Sequence, residues 1–193
     1  MRTFFALLAV LSITPSALAH DGHGVATGFL SGAAHPFSGL DHLLAMLAVG
    51  VWASTMRRPL ALAMPATFPL LMALGALFAF SGVQIPQVEA GVAASVLVLG
   101  MILAVAWRAP TGIALTLVAA FGFLHGYAHG TEISALASAA LYAGGFLIAT
   151  VALHTLGMLL GYALARNARI VKLIGLTVAA TGFWLLGAQI LVA

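Results

Sequence analysis

Two short stretches hold most of the groups in this chain that could bind a metal ion. The first is His35-Pro36-Phe37-Ser38-Gly39-Leu40-Asp41-His42, and the second is His125-Gly126-Tyr127-Ala128-His129-Gly130-Thr131-Glu132. Imidazole and carboxylate together suit borderline-soft divalent ions such as nickel, cobalt and zinc. On a helix of 3.6 residues per turn, His125, His129 and Glu132 fall within about 60° of one another, a single stripe of two imidazoles and a carboxylate. Gly126 and Gly130 clear the space beside that stripe, for a neighbouring helix or for an ion. The structural alternative is a hydrogen-bonded histidine pair that helps helices pack.

In the first stretch, Pro36 disfavours α geometry at His35 and suits a helix start, so His35 is expected at a bend while Asp41 and His42 project from the helix proper. Met46 follows His42 at i, i+4, which puts a thioether below a nitrogen on one wall. Along an unbroken helix, His35 and His42 would lie about 10 Å apart in the axial direction. Metal–nitrogen bonds are about 2 Å, so that spacing predicts two successive ion stations rather than one shared site. His154 stands alone in the middle of a later apolar segment, with Thr150 and Met158 at i−4 and i+4, and reads equally as a packed histidine or as an inner relay. His20 and His23, beside Asp21, read either as an ion-gathering tail or as incidental. Met64, Met72, Met101 and Gln189 read as packing residues.

The elements that must position these groups are membrane helices. The 193 residues are 63% hydrophobic and only 6% charged, with a mean hydropathy of +1.17; soluble chains carry about 25% charged residues. The fold class expected is all-α, a polytopic transmembrane bundle of about six spans in a lipid bilayer. Apolar segments fall near residues 36–55, 60–81, 90–107, 111–130, 136–164 and 170–192, preceded by a Gly-rich stretch at 24–34 that extends the first span or lies at the interface. Residues 1–19 read as a signal peptide, with Arg2, an apolar run from Phe4 to Ile13, and Ala17-Leu18-Ala19 as the cleavage motif. An uncleaved first span is the alternative. Residues 20–35 then form an outer His-bearing segment and 36–193 the six-span domain.

A cleaved signal puts the mature N-terminus outside, which makes the fate of each basic residue a test. Arg57, Arg58, Arg108, Arg166, Arg169 and Lys172 all fall in connections expected on the cytoplasmic side, as the positive-inside rule requires. Both histidine motifs fall at outer ends of spans. Three spans before and three after Arg108 give two halves of opposite orientation, the layout of inverted-repeat transporters, without visible sequence similarity between them. The absence of cysteine excludes disulfides, thiolate metal sites and iron–sulfur clusters. A net charge of +3 does not make a nucleic-acid binder, because seven scattered Lys and Arg form no stripe.

His35-Pro36-x-x-Gly39-x-Asp41-His42 together with His125-Gly126-x-Ala128-His129-Gly130-x-Glu132 resembles the HupE/UreJ family of nickel and cobalt permeases, over essentially the whole chain. That resemblance implies a secondary permease taking nickel, or cobalt, across the bacterial inner membrane, with the mature N-terminus periplasmic, the ion as cargo and no prosthetic group. Matched by position, it implicates His35, Asp41, His42, His125, His129 and Glu132 in transport. A metal-binding accessory or sensor protein is the alternative. An enzyme is not expected: di-iron hydroxylases need more His clusters, on the cytoplasmic side, and no Gly-x-Ser-x-Gly nucleophile or nucleotide-binding motif is present.

Overall fold

The computed structural model describes residues 25–133 and 139–192, with the side chains of 25–27, 132–133 and 192 outside that description. Seven helices run through the described residues: α1 (Val25–Ala34), a 3-10 turn (His35–Phe37), α2 (Leu40–Ser54), α3 (Arg58–Ala79), α4 (Val88–Ala104), α5 (Thr111–Ile133), α6 (Ala139–Ala163) and α7 (Ala168–Val192). Each expected apolar segment forms a helix, and the Gly-rich stretch before them forms α1. His20, His23 and the expected signal peptide lie outside the described residues.

Length and composition let α3, α5, α6 and α7 cross a bilayer. The first expected span is broken: Gly28–Phe37 and Leu40–Ser54 meet at 76°, and only as a bent pair do they make a fifth candidate. α4 has 17 residues and belongs with the shorter apolar helices. Its ends are set by Gln87 and Ala106, both at φ 53° in the left-handed region, where an α-helix cannot continue. At 1.5 Å per residue it spans about 25 Å, a little short of the roughly 30 Å hydrocarbon core.

The break before α2 has local causes. Pro36 removes a backbone donor, and its preceding residue is turned from regular α geometry into a 3-10 turn. The His35 carbonyl accepts bonds from the Ser38 backbone N–H at 2.9 Å and from Ser38 Oγ at 2.6 Å, which closes that turn. Gly39 then adopts an extended conformation as the N-cap of α2.

Every extensive helix pair joins one helix from each half of the chain: α3 packs on α5, α4 on α7, and α2 on α6, with α1 also laid against α6. Lipid offers helices no hydrophobic driving force for association, so close backbone approach supplies it. On α5, Gly122, Gly126 and Gly130 recur every fourth residue and meet the backbone of Phe68, Met72 and Ala76 on α3. Between α2 and α6, Gly50 and Gly157 face each other against the backbones of His154 and Leu47. The core is apolar and includes Met46, Trp52, Met64, Phe68 and Met72. Met101 and Gln189, read as packing residues, lie on the outer surface with the large apolar side chains of α7.

The loops with basic residues gather at one end. Arg57 and Arg108 line one pocket, and Arg108 shares a second with Ala165 and Ala168. At the other end of α3, the Tyr127 hydroxyl donates to the Val83 carbonyl at 2.7 Å and accepts from the Ile85 N–H at 2.8 Å, tying the α3–α4 connection to α5.

The glycine contacts are testable. A Cβ at Gly126 would overlap the Met72 carbonyl, whereas one at Gly144 on α6 meets nothing within 4 Å. Gly126→Ala is expected to cost about 1–3 kcal/mol by overpacking. Gly144→Ala should be neutral, or stabilising by about 0.5–1 kcal/mol through helix propensity. Unfolding of the detergent-solubilised chain measures both, and equal effects would contradict the packing described.

Candidate metal-ion site

The bend carries His35 back over the start of α2. Instead of two stations in line, the rings of His35 and His42 stand 6.1 Å apart, and both face α5. His129 lies 4.6 Å from His35 and 4.3 Å from His42, while His125 lies 5.0 Å from His42, all between ring centroids. The expectation of successive stations for His35 and His42 is therefore corrected: the axial rise of a straight helix does not apply across Gly39. Four imidazoles from the 3-10 turn, α2 and α5 form one cluster. Tyr142 and Phe146 on α6 close its side, with Phe146 4.4 Å from His129 and Tyr142 5.7 Å from His35.

Hydrogen bonds fix which nitrogen of two of these rings is available. Asp41 Oδ1 accepts from the His42 backbone N–H at 2.8 Å and faces His42 Nδ1 at 2.5 Å. A carboxylate can only accept, so in the neutral ring Nδ1 carries the proton and Nε2 the lone pair. His125 Nδ1 faces the Phe121 carbonyl at 2.8 Å, and a carbonyl too can only accept. The Nε2 atoms of His42 and His125 are both buried without a hydrogen-bond partner. A buried acceptor left without a donor costs about 1–3 kcal/mol, and two such lone pairs are groups that a metal cation can use. The pattern is that of metal-ligating histidines, which donate their other ring N–H to a carboxylate or carbonyl that sets tautomer and orientation. Gly39 makes room for this arrangement, since a Cβ there would stand 2.7 Å from Asp41 Oδ1 and 2.9 Å from His42 Nδ1.

Asp41 thus acts through His42, and it sits in the first turn of α2, where the helix dipole favours its charge. Glu132 lies on α5 three residues past His129, with its side chain outside the description. Among the described residues, no three His, Asp or Glu side chains are posed around one point as a closed ligand set. Met46 is fully buried in the apolar core one turn inward of His42. His154 is fully buried on α6, with Phe68 as its ring neighbour at 5.1 Å. A cleft of about 370 Å³ between α3, α5 and α6 reaches His129, but its remaining lining is apolar, including Met72, Leu77, Phe80 and Phe146. It offers an ion no ligand besides that histidine.

The chain matches the family described as "HupE / UreJ protein" over residues 8–185. It belongs to the HupE/UreJ family. It is also 42% identical over 151 residues to Protein HupE of Rhizobium leguminosarum bv. viciae, an alignment covering 78% of each chain. No solved structure matches it. Within this HupE/UreJ chain, Phe68, Tyr142 and Phe146 escape a reading of the sequence, because an aromatic in an apolar helix gives no sign of which ring it faces. The prolines on either side of Phe68 were the only available hint.

If Asp41 sets the tautomer of His42, Asp41→Asn is expected to weaken nickel binding about 10–100-fold, the usual loss when a ligand's orienting partner is changed. Equilibrium dialysis of the detergent-purified chain measures this. An unchanged affinity in the folded variant would remove Asp41 from the site.

Proposed function

We propose that this protein is a secondary permease that takes up a divalent transition-metal ion, nickel or alternatively cobalt, across the bacterial inner membrane. The observation that carries the reading is the pair of buried, unpartnered Nε2 lone pairs on His42 and His125, whose rings stand 5.0 Å apart. His35, His129 and Glu132 complete the outer group, with Asp41 orienting His42 and Met46 one turn inward. Ionisable groups within spans are costly enough that function is the first explanation for them.

In this reading the chain crosses the bilayer six times, counting the bent α1–α2 pair as one span and α4 as another. The signal peptide is removed after Ala19, and the mature N-terminus lies in the periplasm, where His20 and His23 gather ions. The basic loops gathered at one end support this orientation, because positive loops stay in the cytoplasm. An ion entering among the four rings exchanges water for nitrogen ligands stepwise, since stripping its hydration in one step is prohibitive. Rings that are neighbours without closing around one point suit passage better than retention. The membrane potential supplies a drive: a divalent cation gains roughly 4.6 kcal/mol per 100 mV. The ion is cargo, no prosthetic group is required, and no reaction is catalysed.

Uptake of radiolabelled nickel by expressing cells tests the reading. His42→Ala and His125→Ala should each lower the initial rate at least about tenfold, taking the ligand's own loss as no smaller than that of its orienting partner. Collapse of the membrane potential should abolish accumulation. Uptake that survives both substitutions would refute the mechanism, and the same assay with cobalt and zinc as competitors ranks the cargo.

A further inference from the structure

The Phe68 ring touches both of the most buried imidazoles among the described residues. Its ring centroid is 5.3 Å from that of His125 and 5.1 Å from that of His154, and its side chain has no exposed surface. His125 belongs to the outer cluster. His154 is just as buried, and neither of its ring nitrogens makes a hydrogen bond. A neutral imidazole has one donor and one acceptor, so this one leaves both unmet in an apolar interior.

A backbone polar group of α3 comes close to this ring. The Pro65 carbonyl approaches the His154 ring, outside hydrogen-bonding geometry. That carbonyl has lost its ordinary helical donor, because the residue four positions on is Pro69, which has no N–H. An imidazole lone pair and a released carbonyl oxygen both give electron pairs to a cation. Transporters use the freed carbonyls of interrupted helices in just this capacity.

We propose that His154 and the Pro65 carbonyl form an inner ion station, and that the Phe68 ring is the hydrophobic gate between this station and the outer histidine cluster. The proposal deepens the uptake reading and rests on it for the direction of flow. An apolar constriction blocks ions by excluding water, and a ring that turns aside restores the wet path. The backbone at Phe68 is held against Gly122, so the ring is the movable part. Pro65 and Pro69 each remove a helical hydrogen bond beside it, which leaves this turn of α3 the easiest to deform. The gate keeps the two stations from being joined by continuous water, as a transporter requires if it is not to leak.

Two measurements test this without using uptake. The first is nickel stoichiometry on the full-length purified chain by equilibrium dialysis. His154→Ala should lose one bound ion relative to the parent, while Phe68→Ala keeps the full number; an unchanged number in His154→Ala overturns the inner station. The second uses the absence of cysteine from the chain. With His154→Cys as the sole thiol in oriented vesicles, a charged methanethiosulfonate added at the outer face should react at least tenfold faster when Phe68→Ala is also present, and at an intermediate rate with Phe68→Leu. Equal rates in all three overturn the gate. Wild-type vesicles that take up no nickel would instead count against the uptake reading, so the two failures are distinguishable.

Discussion

The hydrogen bond from His42 Nδ1 to Asp41 Oδ1 is what gives a buried ring a direction, and in the proposed function makes it a ligand. Two consecutive residues of a helix ordinarily point about 100° apart, and they meet here because Asp41 Oδ1 also accepts from the His42 backbone N–H, which folds the carboxylate toward the next residue. Gly39 in an extended conformation, with no Cβ to crowd either side chain, permits the contact. The bond then decides the tautomer, and the tautomer leaves Nε2 as a lone pair facing α5. The same logic repeats on α5, where the Phe121 carbonyl holds His125. The proposed ion path depends on these two nitrogens being bare, oriented and buried.

The packing of the bundle serves that arrangement. The glycines at every fourth position of α5 press its backbone onto α3, and the face they occupy is adjacent to the one bearing His125 and His129. This contact fixes both rings relative to Phe68 on the partner helix. Gly50 and Gly157 do the same for α2 and α6, fixing His42 relative to Phe146 and His154. Trp52 reaches further, donating from its indole nitrogen to the Trp107 carbonyl at 2.9 Å and anchoring the inner end of α2 to the α4–α5 connection. Rigid helix pairs suit the stepwise ion path proposed above.

Much of this was legible in the sequence. A chain with so little charge has to be a membrane bundle, and hydropathy located every helix to within a few residues. The Asp and His motifs announced themselves because ionisable groups are so rare in such segments. What did not follow was the joining of the motif's two ends. Pro36 signalled a bend at His35, but its direction is set by Gly39 and by the packing of α1 on α6, neither of which a linear spacing reveals. The rule of 1.5 Å per residue therefore separated His35 from His42, and folding brings them together. The outward placement of Met101 and Gln189 was not legible either: in a bilayer, apolar or weakly polar side chains face outward as readily as inward, so residue type does not choose the side. Phe68 was hidden in plain composition. Only the two prolines flanking it set it apart from the other phenylalanines.

In the proposed function, imidazole nitrogens of α2 and α5 bind one ion together, and X-ray absorption at the nickel edge tests this. The purified chain loaded with a single equivalent of nickel should show nitrogen scatterers near 2 Å, with the outer-shell pattern of at least two imidazoles, falling by one in His42→Ala. A first shell of oxygen alone, without imidazole scattering, would contradict the account.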